Sequence, residues 1–117
     1  MQQAAAVQNT WYTALTTQTR NTRVYFVTIV IGTADESLDL RIIADGVTMT
    51  GSINATFGTV YSAYPNYGLA TDSLSLVAGG RDVTYIVEGA NVSVLARKTT
   101  NAGAGTLSVK VMYGLRY

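Results

Sequence analysis

The chain has 117 residues, no cysteine and no histidine, and its eight basic and seven acidic side chains leave a net charge of +1. That length suits one domain with a core of its own. The missing residue types exclude disulfides, thiolate chemistry, and the commonest general base and metal ligand.

The Lys and Arg residues form no cluster that would give an electrostatic footprint for nucleic acid, so no nucleic-acid partner is expected. No apolar run approaches the ~20 residues of a membrane helix. Charged residues make up 13% of the chain, against roughly 25% in an ordinary globular domain. Thr, Ser, Asn and Gly fill the polar positions instead, which suits a β-rich exterior or a surface partly hidden in an assembly.

Residues 1–9 include the segment Met1–Gln8, MQQAAAVQ, which has neither a basic n-region nor an apolar run long enough for a signal peptide. They are expected to form an arm, frayed in the free protomer or ordered on a neighbouring subunit. Residues 10–117 are expected to be one β domain. Asn54-Ala-Thr56 and Asn91-Val-Ser93 match the glycosylation sequon, and without a secretory signal both are taken as chance matches.

The first strand is expected at Thr10–Thr16, where Trp11, Thr13 and Leu15 alternate with Tyr12, Ala14 and Thr16. The central strand follows at Arg23–Ile31, the longest apolar run, built from β-branched and aromatic residues that suit a pleated surface. With a period of two, one face carries Val24, Phe26, Thr28 and Val30, and the other Tyr25, Val27, Ile29 and Ile31. A strand apolar on both faces is normally covered on both. No helix is available to cover the second face, so a second subunit is expected there. Tyr25, Val27, Ile29 and Ile31 are the candidate oligomer interface.

Ser37–Ala44 places Leu38, Leu40 and Ile42 on one face, and Asp45-Gly46 follows directly. An Asp-Gly pair between alternating segments predicts a type I′ hairpin turn, which needs positive φ at both central residues. The returning strand spans Val47–Thr50, and Gly51 is expected to break it. Beyond it, Ile53, Ala55 and Phe57 alternate. Tyr61–Gly68 reads as a loop holding the only proline and three of the eight tyrosines. Further strands are expected at Leu74–Leu76, Asp82–Glu88, Val92–Lys98 and Thr106–Tyr113, with a flexible loop at Thr99–Gly105. No 20–50-residue repeat is present. About eight strands at this spacing predict an antiparallel sandwich or barrel.

A nucleophilic Ser or Thr needs an activating base, and there is no histidine to serve. The glycine-rich stretches at Ala78–Arg81 and Asn101–Gly105 precede no helix, as a phosphate cradle requires. The acids Asp35, Glu36 and Asp39 lack the spacing of a calcium loop. No catalytic residue, metal site or cofactor is therefore expected. Tyr61, Tyr64 and Tyr67 are the candidate ligand- or partner-binding residues, because a planar aromatic with a polar tip can stack on a sugar or anchor a protein.

Three stretches carry a family resemblance: Trp11-Tyr-Thr-Ala-Leu15, the apolar strand 23–31, and Leu38-Asp-Leu-Arg-Ile-Ile-Ala-Asp-Gly-Val47. The ending adds a strand at Asn91–Arg97, a Thr/Asn/Gly loop, and a strand closing in Val111-Met-Tyr-Gly114. With these the chain resembles small jelly-roll-like structural proteins of tailed bacteriophages: capsid decoration proteins, head-fibre heads and tail-associated β-sandwiches. The resemblance implies a jelly-roll-like β-sandwich that forms a homo-oligomer, a trimer first. It also implies a place on the virion after synthesis in the host cytoplasm, with the major capsid protein among the partners. The resulting expectation is a non-enzymatic capsid decoration protein. The alternative is a carbohydrate- or host-receptor-binding head of a fibre or tail.

Overall fold

A computed structural model describes residues 1–3, 6–17, 21–32, 34–67, 72–79, 85–100 and 105–116. Among them there is no helix. Ten strands form one hydrogen-bonded, mostly antiparallel sheet: β1 (Gln2–Gln3), β2 (Tyr12–Thr16), β3 (Asn21–Ile31), β4 (Glu36–Ala44), β5 (Val47–Ala55), β6 (Tyr61–Tyr67), β7 (Asp72–Ala78), β8 (Val87–Gly89), β9 (Val92–Lys98) and β10 (Leu107–Arg116). The order across the sheet is β1-β10-β3-β6-β7-β5-β4-β9-β2, with β8 on β3. The sheet curls nearly into a barrel, so that β10 comes back to touch β2 and β9.

The core follows the period-two pattern where strands are long. Leu38, Leu40 and Ile42 of β4, Val92, Val94 and Ala96 of β9, and Leu107 and Val109 of β10 all point inward and are buried. Each Leu or Ile of this kind contributes about 1.5–3 kcal/mol through the area it removes from water. β4 and β5 close the predicted hairpin: Ala44 pairs with Val47, and Asp45 (φ 49°) and Gly46 (φ 86°) both take positive φ, as a type I′ turn demands.

In β3 the inward row switches phase. Thr22 and Val24 are buried, Tyr25 is exposed, and Val27, Ile29 and Ile31 are buried. Met112 pairs with Phe26 and Tyr113 with Val24, so Tyr25 is the extra residue of a β-bulge. The expected interface row is thereby corrected. Val27, Ile29 and Ile31 are fully buried in the protomer's own core and are closed to a partner. Phe26, Thr28 and Val30 form the outward, half-buried row.

Other segments also depart from expectation. The N-terminal segment is an edge strand on its own domain: Gln2 pairs with Ser108, the Met1 amino group donates to the Val109 carbonyl (2.8 Å), and Ala6 is buried. Gly51 does not end β5; it lies inside the strand where β7 runs parallel to it. Residues 61–67 are a strand rather than a loop, with Pro65 opposite Leu74 of β7. Proline fits there because the pairing of β6 with β3 covers only Ser62 and Tyr61, leaving the Pro65 side without a ladder to donate to. Of the expected strand at Asp82–Glu88, Val87 and Glu88 belong to β8 and Tyr85 and Ile86 precede it; residues 82–84 lie outside the described residues, as do 68 and 101–104 of the expected loops.

Candidate interaction surfaces

The outer face of β2, β9, β4 and β5 carries a cross-strand polar row. Alternation in β4 turns Ser37, Asp39 and Arg41 outward, and in β9 it turns Leu95 and Arg97 outward. Register then sets Asp39 beside Arg97 on one flank and Ser52 on the other. Arg97 Nε donates to Asp39 Oδ2 (2.8 Å), and the Ser52 hydroxyl donates to Asp39 Oδ1 (2.6 Å). Trp11, just before β2, lies against both neighbouring guanidiniums: Arg41 Cζ is 4.2 Å and Arg97 Cζ 4.5 Å from the indole ring. Such contacts join electrostatic attraction to the ring face with apolar coverage of the arginine stem. Arg41 Nε is closed off from solvent and has no hydrogen-bond acceptor. A shallow groove continues from this row, lined by Ser37, Asp39, Ser52, Ile53, Asn54 and Thr99.

The outer face of β3 and β10 is different. Tyr25 and Met112 are exposed there, Met112 by 53%, whereas Tyr113 and Leu115, also exposed, pair with the inward-facing Val24 and Thr22 and stand on the opposite face of β10. Phe26, Lys110, Val111, Met112 and Tyr113 line a shallow depression. The Tyr25 ring lies over Gly114, where an added Cβ would stand 3.2 Å from it. Beside this patch, Arg23 reaches Glu88 (3.0 Å) and stacks on Tyr85 (4.8 Å). Its hydrogen bonds to the Glu88 carboxylate hold the Arg23 guanidinium above its ordinary pKa.

The acids whose side chains are described are engaged structurally. Asp35 accepts from the Phe57 amide (3.0 Å), Asp45 accepts from the Ala90 and Asn91 amides, and Glu36 faces Lys98 in the interior (3.6 Å). Among the described residues no three His, Cys, Asp or Glu gather as a metal site would require.

Of the candidate tyrosines, Tyr61 and Tyr64 stand at positions of opposite phase in β6 and share no face. Tyr61 is buried, and its hydroxyl oxygen accepts from the Thr56 amide (2.8 Å). Tyr64 is half-buried opposite Ser75. Tyr67 ends β6, and its side chain lies outside the described residues. Of the candidate interface residues, only Tyr25 stays on the surface. The Trp11–Arg41–Arg97 cluster escaped the sequence reading because its members sit on three segments joined only by long-range pairing. Comparison of the chain with family models, with curated proteins and with solved structures returns no match.

Proposed function

We propose that the protein is a non-enzymatic structural protein that works through contacts with copies of itself, as a capsid decoration protein of a tailed phage would. The observation that carries this reading is the set of exposed apolar side chains at one end of the β3–β10 pair, Tyr25 and Met112 on its outer face and Tyr113 and Leu115 on the other. Large apolar side chains exposed close together typically mark a surface that meets another protein. A closed homo-oligomer buries such a face at no cost in solubility, and the low charge content of the chain suits a protein with part of its surface covered.

A trimer, a place on the virion and contact with the major capsid protein come from the family resemblance. The same resemblance makes the curled sheet a variant of the jelly-roll-like sandwich. Its support is that the last strand, β10, lies between β1 and β3, so that both ends of the chain share one edge of the sheet.

The test is light scattering at tens of micromolar on the wild-type protein and on Met112→Glu and Tyr25→Lys. The expected result is a wild-type oligomer that both variants dissociate while circular dichroism stays unchanged. A wild-type monomer overturns the reading, and so does an oligomer that neither variant disturbs. Binding of the oligomer to shells of a candidate phage's major capsid protein then tests the virion role.

A further inference from the structure

We propose that the cleft between β8 and the β4–β5 hairpin binds a small apolar amine in its protonated form. The cleft has a volume of about 380 Å³, and Ala44, Val47, Met49 and Val87 give it an apolar wall. That is within the usual range for a small-molecule site. The site is separate from self-association: β8 lies along one edge of β3, whereas β10, which carries Met112, lies along the other.

The cleft exists because the wall of the curled sheet is incomplete there. Among the described residues, β5 pairs on that side only through Thr50 and Ser73, and the short β8 pairs only with β3. Val47 follows the inward phase of Met49 and Gly51 and pairs with the buried Ala44, yet it is 54% exposed. Val87 pairs with the buried Val24 and so turns to the same interior. Side chains that belong to the core row are thus open to solvent at this end of the sheet.

Two carboxylates stand at the mouth, and they are not equivalent. Glu88 is paired with Arg23 (3.0 Å), so its charge is met within the protein. Asp45 forms no ion pair among the described residues. Its oxygens accept from the Asn91 amide (2.9 Å) and the Ala90 amide (3.2 Å), which hold the carboxylate in place without neutralising it. Each oxygen keeps a second lone pair, and Asp45 is exposed, so a donor in the cleft can reach it. An ammonium brings a full charge and several N–H donors, and its hydrogen bond to a carboxylate is of the strong, charge-assisted kind. The apolar wall adds affinity only for a ligand with an apolar body. One oriented carboxylate at the rim of an apolar cleft therefore selects an amine with a hydrocarbon body, disfavours an anion and gives a bare cation little.

The experiment titrates 2-phenylethylammonium, 2-phenylethanol, 3-phenylpropionate and methylammonium into the isotopically labelled protein at constant ionic strength. Chemical shifts are followed, with light scattering on the same samples. The expected result is a saturable shift of the Val47, Met49 and Val87 methyl groups with 2-phenylethylammonium. The response should be at least tenfold weaker with the alcohol and with methylammonium, and absent with 3-phenylpropionate. Asp45→Asn should weaken binding of the amine at least tenfold. This variant keeps the turn, because Asn-Gly is a preferred type I′ pair, and its amide oxygen can still accept from a backbone amide. Val47→Lys, which puts the chain's own ammonium in the cleft, should abolish binding. No saturable response to the amine overturns the proposal, and so do shifts centred on residues away from the cleft. An alcohol that binds as well as the amine overturns the role of Asp45, and so does an Asp45→Asn protein that binds as the wild type does. Methylammonium binding as well as the larger amine overturns the role of the apolar wall. Each of these outcomes is independent of the oligomeric state that light scattering records.

Discussion

Gly51 of β5 lies directly against the carbonyl of Leu74 in β7: a Cβ added to Gly51 would stand 2.5 Å from that oxygen and 2.8 Å from Leu74 Cβ. This is where the sheet makes its parallel contact, Thr50 beside Ser73, and passes from the β6–β7 hairpin to the β4–β5 hairpin. Only a residue without a side chain lets the two backbones approach so closely. Gly51→Ala is expected to destabilise the protein by about 3 kcal/mol or more, at the upper end of overpacking costs because one clashing atom is backbone. Leu74→Ala should fail to rescue it, since the carbonyl remains. Urea denaturation checks both, and a loss below about 0.5 kcal/mol, the range of ordinary surface changes, would contradict the close approach.

The Asp45-Gly46 turn also ties two hairpin ends together. Asp45 Oδ1 accepts from the Asn91 amide (2.9 Å) and Oδ2 from the Ala90 amide (3.2 Å), which fixes the β8–β9 connection. A Cβ on Gly46 would meet nothing within 4 Å, so any cost of substitution there is conformational. Gly46→Val is expected to cost about 1 kcal/mol or more, because a β-branched residue is strained at positive φ. Gly46→Asn should cost clearly less, since Asn tolerates that region. Asp45→Ala should cost about 0.5–1.5 kcal/mol through the loss of two exposed hydrogen bonds, since water can reach the freed amides. Equal melting temperatures for the Val and Asn variants would contradict the turn type.

Much of the fold was legible wherever a strand kept one phase from end to end. The inward rows of β4 and β9 and the Asp45-Gly46 hairpin follow from alternation and turn chemistry alone. Alternation failed where a bulge changed the phase. Tyr25 in β3 and Ala14 in β2 each insert one residue, so Val24 and Val27 both face inward, and Leu15 moves from the Trp11 face to the core side opposite Val94. A strict period of two therefore assigned the Val27–Ile31 row to a partner that it never meets. Pro65 and Gly51 misled for a related reason. Both weaken a strand by themselves, but tertiary context overrode that propensity, placing Pro65 where no ladder bond is lost and Gly51 where a neighbour needs the room. The Trp11 cluster depends on register across three strands, which no local pattern encodes.

The bulge at Tyr25 separates core from surface in one strand pair, and a matched set of lysines reads that division. Val27→Lys places a charge at a position with no solvent exposure and is expected to cost more than about 4 kcal/mol or prevent folding. Tyr113→Lys, at a residue 46% exposed, should leave the protomer's stability within about 0.5 kcal/mol. Thermal melts at low concentration, where association does not contribute, make the comparison. A folded, stable Val27→Lys protein would mean that the β3 row faces outward after all.

The inward rows of β4 and β9 both end in charge: two residues before Leu38 stands Glu36, and Lys98 stands beside Leu38. Their side chains are almost fully buried, with Lys98 Nζ 3.6 Å from Glu36 Oε1, under Gly105, whose added Cβ would lie 3.4 Å from Glu36 Oε2 and 3.8 Å from Lys98 Nζ. The N-terminal segment helps close this end of the sheet, as the Ala6 amide donates to the Gly105 carbonyl (2.9 Å) and the Asn9 amide to the Lys98 carbonyl (2.8 Å). Two ions out of water lose hydration that their mutual attraction only partly restores, yet removing one leaves the other buried and unmatched. Lys98→Met and Glu36→Leu should therefore each cost about 3–5 kcal/mol. The double variant Lys98→Met/Glu36→Leu should recover most of that loss, because an apolar pair of similar volume continues the Leu38–Leu40–Ile42 row. Denaturant titration of all the variants gives the coupling between the two positions, expected above about 1 kcal/mol for a contacting pair. Simple additivity of the two losses would mean that the charges act on other partners and not on each other.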